Sequence, residues 1–339
     1  MTDPNSSDET TKDFMNRFDI AIIGGGVAGL SAGIYAARDG FSTLIVEGDF
    51  VSNTDMPGGA LLLTPEIENF PGFMRGEGTE LIDTIRTQAE NFGANIVTEL
   101  VETVTFSEDM CGWHTITTNA GTEYKAKAVI LATGAIARQL GVSGEMDYIG
   151  KGVSTCATCD GFFYTDKEVV VVGGGDTAVE DALFLRRYAS KVTMIVRGDS
   201  FRATGPDARE ALELSEKEDS NFNIIWHSAV QSVNGTDGTV TSVTYHTEGE
   251  THELSTDGLF VAIGRDPSTS FLANSNVALD QEGYIIRDGI SNKVAGNSKG
   301  VFAAGDAVDK KFRQAITSAG RAVEAALEAR EYLLTARRK

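Results

Sequence analysis

Two stretches decide the fold: "FDIAIIGGGVAGLSAGIYAARDGFSTLIVEGD" at residues 18–49 and "KEVVVVGGGDTAVEDALFLRRYASKVTMIVRGD" at residues 167–199. They are one pattern written twice. Each opens on a short β-branched run, turns through three glycines, continues as a helical stretch and closes on a second apolar run ending in IVEGD or IVRGD. Gly-x-Gly-x-x-Gly between a strand and a helix, inside a βαβ unit of roughly 30 residues, is the pattern that receives a dinucleotide. Gly24 permits the tight turn, Gly26 lets a pyrophosphate approach the backbone, and Gly29 lets the helix pack on the strand. Gly173, Gly175 and Ala178 hold the same places in the second copy. The N–H groups at each helix start then face a diphosphate. Glycine turns without a ligand are the alternative, and the doubled βαβ context argues against them. The expected fold class is α/β, with two Rossmann-like dinucleotide-binding domains.

The residue that ends the second strand separates the two ligands. Glu47, about twenty residues past the glycines, offers a carboxylate to adenosine ribose hydroxyls. Arg197 is expected at that place in the second copy, with Arg202 five residues on. A carboxylate there repels a 2′-phosphate and a guanidinium attracts it. The first unit therefore suits FAD or NAD, and the second leans toward NADP. Solvated surface charge is the plain alternative for both arginines.

At 339 residues the chain exceeds one ordinary domain. "AVILATGAIAR" (128–138) reads as a buried strand breaking at Gly134, and "DGLFVAIGRDP" (257–267) as a matching one breaking at Gly264 and Pro267. The second unit is thus expected as an insertion, residues 137–265, within a domain made of 14–136 and 266–339. A hinge at the two crossings would let one domain turn against the other. After the return, residues 300–334 read as a strand, a Gly305-Asp306 turn and a long amphipathic helix.

Residues 1–13 read as a flexible tail, polar and acidic, without the apolar core of a signal peptide. No apolar run nears the roughly 18 residues of a membrane span. A net charge of −20 opposes nucleic acid and anionic membrane surfaces as partners. Three cysteines without an export signal point to a reducing cytoplasm.

Two of those cysteines, Cys156 and Cys159, lie in "STCATCDGFFY" (154–164). A zinc reading would add Cys111 and His114 from "CGWH", but the division above puts them in different domains, which a fixed metal would lock together. No metal is expected, and Cys111 reads as a small buried hydrophobe. A purely structural disulfide does not suit the compartment. A reacting dithiol fits best, because cysteines at this spacing close a small ring and one thiol pKa is commonly lowered. Asp160 follows at once and is placed to shuttle the proton of thiolate chemistry; a turn or cap role is its plain alternative. Gly161 would let the neighbouring backbone approach a flat ring.

"CATCDG" between two dinucleotide units resembles the low-molecular-weight, bacterial-type thioredoxin reductases, FAD-dependent pyridine nucleotide-disulfide oxidoreductases. "ENFPG" (68–72), "ATGA" (132–135), "GGGDTAVE" (173–180), "VFAAGD" (301–306) and "RQAITSAG" (313–320) extend the likeness over residues 18–335. The resemblance implies a homodimeric, cytoplasmic thioredoxin-disulfide reductase that takes hydride from NADPH onto FAD and passes electrons through Cys156 and Cys159 to thioredoxin. It implies FAD contacts at Gly24, Gly26, Gly29, Glu47, Gly59 and Asn69, at Thr133 and Gly134, and at Gly305, Asp306, Arg313, Gln314 and Ala315. It implies nicotinamide-nucleotide contacts at Gly173, Gly175, Asp176, Thr177, Ala178, Arg197, Arg202, Ile263 and Gly264. Cys159 is the cysteine implied nearer the flavin.

Three departures from the family pattern bear on this. The phosphate clasp, usually His-Arg-Arg-x-x-x-Arg, reads "VRGDSFR", with Val196 and Gly198 at two of its places. Losing one charge-assisted contact weakens 2′-phosphate preference about tenfold to a hundredfold, which leaves NADPH, NADH or another donor open. Ala60 stands where many relatives have Gln, and "FVSNTD" (50–55) lengthens the preceding loop, as a surface insertion or as a changed approach to the flavin. A flavin dithiol oxidase on the same fold and a non-enzymatic redox sensor are the competing functions.

Overall fold

The computed structural model describes residues 16–49, 57–110, 112–296 and 298–337. The expectations for the 1–13 tail, the 50–55 loop and Cys111 lie outside the described residues. The chain forms two compact units: one runs to Ile136 and resumes at Asp266, and the other is Ala137–Arg265.

The first unit begins with β1 (Arg17–Ile23), α1 (Val27–Arg38) and β2 (Thr43–Val46), followed by α2 (Gly78–Asn91) and β3 (Asn95–Val97). β4 (Val101–Thr105), β5 (His114–Thr118) and β6 (Glu123–Leu131) come next. The strands lie in the order β3-β2-β1-β6-β5-β4. β3, β2, β1 and β6 run parallel, while β5 pairs antiparallel both with β6 and with β4. Both faces of the parallel part are covered, so β1 reads as continuously apolar. Ile20 and Ile22 point into the core shared with α1, and Ala21 and Ile23 into the core on the other face.

The chain leaves through β7 (Ala135–Ala137). The second unit contains β8 (Val153–Ser154), the single-turn α3 (Ala157–Asp160), β9 (Glu168–Val172), α4 (Asp176–Leu185), β10 (Lys191–Ile195), α5 (Pro206–Ser215) and β11 (Phe222–Ile225). The antiparallel strands β12 (Ser228–Thr236), β13 (Thr239–Thr247) and β14 (Glu250–Ser255) precede β15 (Gly258–Val261). A parallel sheet of order β11-β10-β9-β15-β8 results. Its one face packs on α4 and α5 through Val169, Val171, Leu185 and Met194. The other packs on the antiparallel strands through Val170, Val172, Val230 and Val243.

The chain returns through β16 (Arg265–Pro267), which pairs with β7. β17 (Val301–Ala303) then joins the end of β6, Val301 opposite Val129, beyond the part of β6 that β5 occupies. α6 (Ala315–Arg337) lays the buried residues Ala322, Ala325, Ala326 and Ala329 into the same core as α1. The two units thus repeat one strand order. In each, the strand that leads into the glycine turn, β1 or β9, lies between the strand that follows it and one supplied much later, and ligands of open α/β sheets bind at the carboxyl ends of the strands where the order reverses in this way.

Candidate functional site

Both glycine turns sit at such a carboxyl end. Gly24 has φ +117°, and a Cβ there would lie 2.2 Å from the Ala132 carbonyl oxygen at the end of β6. Gly173 has φ +145°, and its Cβ would lie 2.4 Å from the Ala262 oxygen at the end of β15. The third position closes the helix on the turn: a Cβ at Gly29 would meet the Gly24 oxygen at 1.8 Å, whereas Ala178 keeps its methyl against Gly173. The middle glycines differ in kind. A Cβ at Gly26 would find no atom nearer than the Gly58 oxygen at 3.6 Å. Gly26 and Gly175 are the N-caps of α1 and α4, and neither helix has a side-chain cap, so the first-turn N–H groups are left for an anion.

The strand ends correct one expectation. Ile23 pairs with Val46 and Val172 with Ile195, so the residue equivalent to Glu47 is Val196, not Arg197. A Cβ on Gly25 would touch Glu47 Cβ, and one on Gly174 would touch Val196 Cγ1, at 2.2 and 2.9 Å. The place faces the turn and is buried, so a valine fills it; Arg197, one residue on, is exposed. Arg202 is tied to the turn itself, its N–H donating to the Gly174 oxygen at 2.7 Å. Its Nη2 would be 3.8 Å from a Cβ on Gly175. Asp176 accepts the Thr204 N–H at 3.2 Å, and Thr177 beside it is exposed. Gly264 has φ +112° and is exposed next to the half-buried Ile263.

The other residues expected around a flavin nucleotide gather in part. A Cβ on Gly59 would lie 3.4 Å from Gly26 Cα, and one on Gly305 would lie 3.1 Å from Ala28 Cβ. Thr133 and Gly134 follow β6, and the Thr133 N is 3.1 Å from a Cβ on Gly24. Asp306 accepts the Ser318 hydroxyl at 3.0 Å. Gln314 donates to the Phe312 carbonyl at 3.2 Å, directly before Ala315 opens α6. Asn69 makes none of these contacts and is exposed on the loop that Ile67 and Gly76 close. Ala60 opens a 3-10 turn, Ala60–Leu63, and is exposed.

Thr133 Oγ1 and Arg313 Nε are among the buried polar atoms of this unit that lack hydrogen-bond partners. Arg313 also holds φ +49°, a left-handed conformation that costs a non-glycine residue free energy and clusters at ligand sites. Unpaired donors, a strained arginine and an open glycine turn are what a bound polar cofactor would satisfy, so the residues fit FAD.

In the second unit Cys156 and Cys159 form a disulfide, with Cα atoms 5.3 Å apart. Cys156 is the N-cap of α3 and both cysteines are half-buried. Asp160, at the end of α3, accepts a hydrogen bond from Ser154 Oγ at 2.5 Å, and that same oxygen accepts the Cys156 N–H at 3.0 Å. Burial raises the Asp160 pKa, and the serine hydroxyl opposes it. Tyr164 is pushed up to about 12, first by burial and then by the charges of Asp160 and Asp257. A Cβ on Gly161 would meet Leu185 and Phe184 at 3.1 Å, so that glycine serves packing on α4.

Sequence reading missed three functional side chains. Ser154 lies in the stretch 154–164, two residues before Cys156, a spacing that allows a local side-chain bond to the backbone. Arg86 pairs with Glu47 Oε2, and Thr98 Oγ1 donates to Glu47 Oε1 at 2.6 Å. Nothing in the one-dimensional pattern marks either. His114 is buried on β5, its Nδ1 accepting the Ser107 N–H at 3.1 Å. Among the described residues no group of three or more His, Cys, Asp or Glu side chains could hold a metal ion. No helix of the described residues is long and apolar enough to cross a membrane.

Two dinucleotide turns and a dithiol pair define a redox protein of two nucleotide-binding halves. The family model described as pyridine nucleotide-disulphide oxidoreductase matches residues 18–326. A thioredoxin reductase of Streptomyces clavuligerus is 44% identical over 318 residues, 93% of this chain and 94% of the relative. A solved thioredoxin reductase from Giardia duodenalis superposes with a TM-score of 0.84 at 38% identity, covering 94% of this chain and 99% of that one. That from Streptococcus pyogenes does so with 0.84 at 34%, over the same shares. The chain belongs to the pyridine nucleotide-disulphide oxidoreductase family.

Proposed function

We propose that the protein is a flavin-dependent thioredoxin-disulfide reductase, using a reduced pyridine nucleotide, NADPH in this reading, to reduce thioredoxin or a thioredoxin-like protein. The observation that carries it is the Cys156–Cys159 disulfide, half-buried, on the unit that bears the second glycine turn and beside the half-buried carboxyl of Asp160. The names of the quoted relatives agree with the reading.

In this reading the first unit holds FAD: Gly24, Gly26 and Gly29 shape the turn, and Thr133 and Arg313 bring their unpaired polar atoms to the cofactor. When bound, FAD supplies the two-electron chemistry that links a pyridine nucleotide to a disulfide. The second unit holds the nucleotide at Gly173, Gly175 and Ala178, with Arg197 and Arg202 for its phosphates. Opening the Cys156–Cys159 bond takes two electrons and two protons. A hydride accounts for both electrons and one proton, so one more proton comes from solvent, and Asp160 is the acid that hands it to sulfur. One cysteine, as thiolate, then attacks the partner's disulfide to form a mixed disulfide. The other cysteine resolves it, restoring the Cys156–Cys159 bond and releasing the partner as a dithiol. The homodimeric state and cytoplasmic location belong to the same reading and rest on the resemblance; light scattering tests the first.

Anaerobic mixing with NADPH or NADH tests the donor, with flavin bleaching expected. Cys156→Ser and Cys159→Ser should each keep that bleaching and abolish thioredoxin reduction. Undiminished turnover in either variant, or a purified protein without flavin absorbance, overturns the reading. No bleaching by either nucleotide moves it toward the dithiol-oxidase alternative.

A further inference from the structure

Ser154 ends β8 as a buried residue, and its hydroxyl stands between the cysteine pair and Asp160. The hydroxyl has one proton to donate. Asp160 Oδ2 lies 2.5 Å from Ser154 Oγ and the Cys156 carbonyl 3.4 Å, so the proton goes to the carboxylate. The same oxygen takes the Cys156 N–H at 3.0 Å, and the Asp160 N–H closes the ring on the Cys156 carbonyl at 3.1 Å. Asp160 is thereby tied at both its side chain and its backbone to the first cysteine.

We propose that Ser154 is the positioning residue that sets both the place and the proton affinity of the Asp160 carboxylate beside the Cys156–Cys159 pair. Burial in a weakly polar pocket favours the neutral acid, and a donated hydroxyl favours the carboxylate. These two push Asp160 in opposite directions. The other titratable or charged groups around it are Tyr164, from the turn that follows; Asp257, which acts on Tyr164; and Arg265 on β16, whose guanidinium is given to the Thr155 carbonyl at 3.2 Å. Among the described residues no ion pair contributes to the Asp160 carboxyl, so the serine is the group that holds its charged form.

That the proton ends on sulfur rests on the reductase reading. As the S–S bond opens with two electrons and one proton from the hydride, Asp160 as the acid gives the second proton to a cysteine and is left as carboxylate. When that cysteine attacks the partner as thiolate, the carboxylate takes the proton back.

The test is the infrared carbonyl stretch of the protonated Asp160 carboxyl, followed against pH in the purified holoprotein and assigned by its loss in Asp160→Asn. Ser154→Ala should raise the midpoint by about one pH unit or more, and the alkaline limb of thioredoxin reduction should move up with it. Ser154→Thr keeps the hydroxyl and should keep the wild-type midpoint. The inference is overturned if Ser154→Ala leaves the midpoint in place while slowing turnover equally at every pH. A threonine variant shifted as far as the alanine variant overturns it too. Failure of the wild type to reduce thioredoxin would instead sink the proposed function, with the carboxyl titration still deciding this inference.

Discussion

The buried carboxylate of Glu47 is paired with the guanidinium of Arg86, from a helix that the strand-glycine-helix pattern does not include. Thr98 donates to the other oxygen, so each Glu47 oxygen already has one partner and keeps room to accept a ribose hydroxyl. A carboxylate left alone at such a site pays its desolvation unrelieved. Arg86→Ala should lower stability by about 1–3 kcal/mol, between the values for exposed and for fully buried pairs because the arginine is partly exposed. The double variant with Glu47→Ala should lose less than the sum of the two single changes. Urea unfolding of the four proteins checks this, and additive losses would show the pair to be uncoupled.

In the second unit the equivalent anion is missing and Val196 fills its place, which separates the roles of the two arginines. Arg202 is anchored at the turn by its backbone N–H to Gly174, and its guanidinium lies near Gly175, where a diphosphate common to NADPH and NADH would sit. Arg197 is exposed one residue past Val196, where a 2′-phosphate would sit. Arg197→Ala should therefore weaken binding of 2′-phospho-ADP-ribose about tenfold or more and leave ADP-ribose unchanged. Arg202→Ala should weaken both alike. Calorimetric titration of the two probes reads this directly, and a loss confined to the phosphorylated probe in Arg202→Ala would refute the division of roles.

The doubled glycine pattern and the crossings near Gly134 and Gly264 were legible because they rest on local rules: an apolar strand, a turn only glycine allows, a helix start. What escaped was register and reach. Arg197 was one residue out because a strand end turns successive side chains to opposite sides, and the chain's own charge pattern could not say which side meets the turn. Arg86, Thr98 and the unpaired Arg313 Nε depend on segments brought together from far apart in sequence, which periodicity does not encode. Ser154 is the intermediate case, close enough in sequence to Cys156 for a turn bond, yet overshadowed by the cysteines it serves.

His114 gives a prediction in pH. Its Nδ1 accepts a backbone N–H, which requires the neutral ring, and burial lowers its pKa from 6.5 to about 4. The unfolded chain therefore binds a proton that the folded one refuses between about pH 6.5 and 4. Stability from this site is whole above pH 6.5 and falls as pH drops through that window, by about 3 kcal/mol at its lower end. His114→Asn keeps an acceptor for Ser107 and removes the titration. Its denaturant midpoint should be lower than wild type at pH 7.5, and the gap should narrow toward pH 4.5. A gap that stays constant with pH would mean His114 does not titrate in this range.

Gly24 and Gly26 are two residues apart and predict opposite outcomes for the same change. At Gly24 a methyl group would strike the Ala132 carbonyl at 2.2 Å from a backbone with φ +117°, so Gly24→Ala should damage folding of the first unit itself. At Gly26 the backbone is extended, φ −76° and ψ −175°, which alanine adopts freely. The nearest atom to its added methyl would be the Gly58 oxygen at 3.6 Å. Gly26→Ala should fold with near wild-type far-ultraviolet dichroism, because among the described residues nothing occupies that space. The methyl would stand where a pyrophosphate approaches the turn, so the variant should purify largely colourless and take up added FAD at least tenfold more weakly, a loss of about 1.4 kcal/mol or more. Flavin absorbance against protein concentration, read beside the dichroism, separates the two effects. A yellow, fully loaded Gly26→Ala protein would mean that the diphosphate does not lie on this turn.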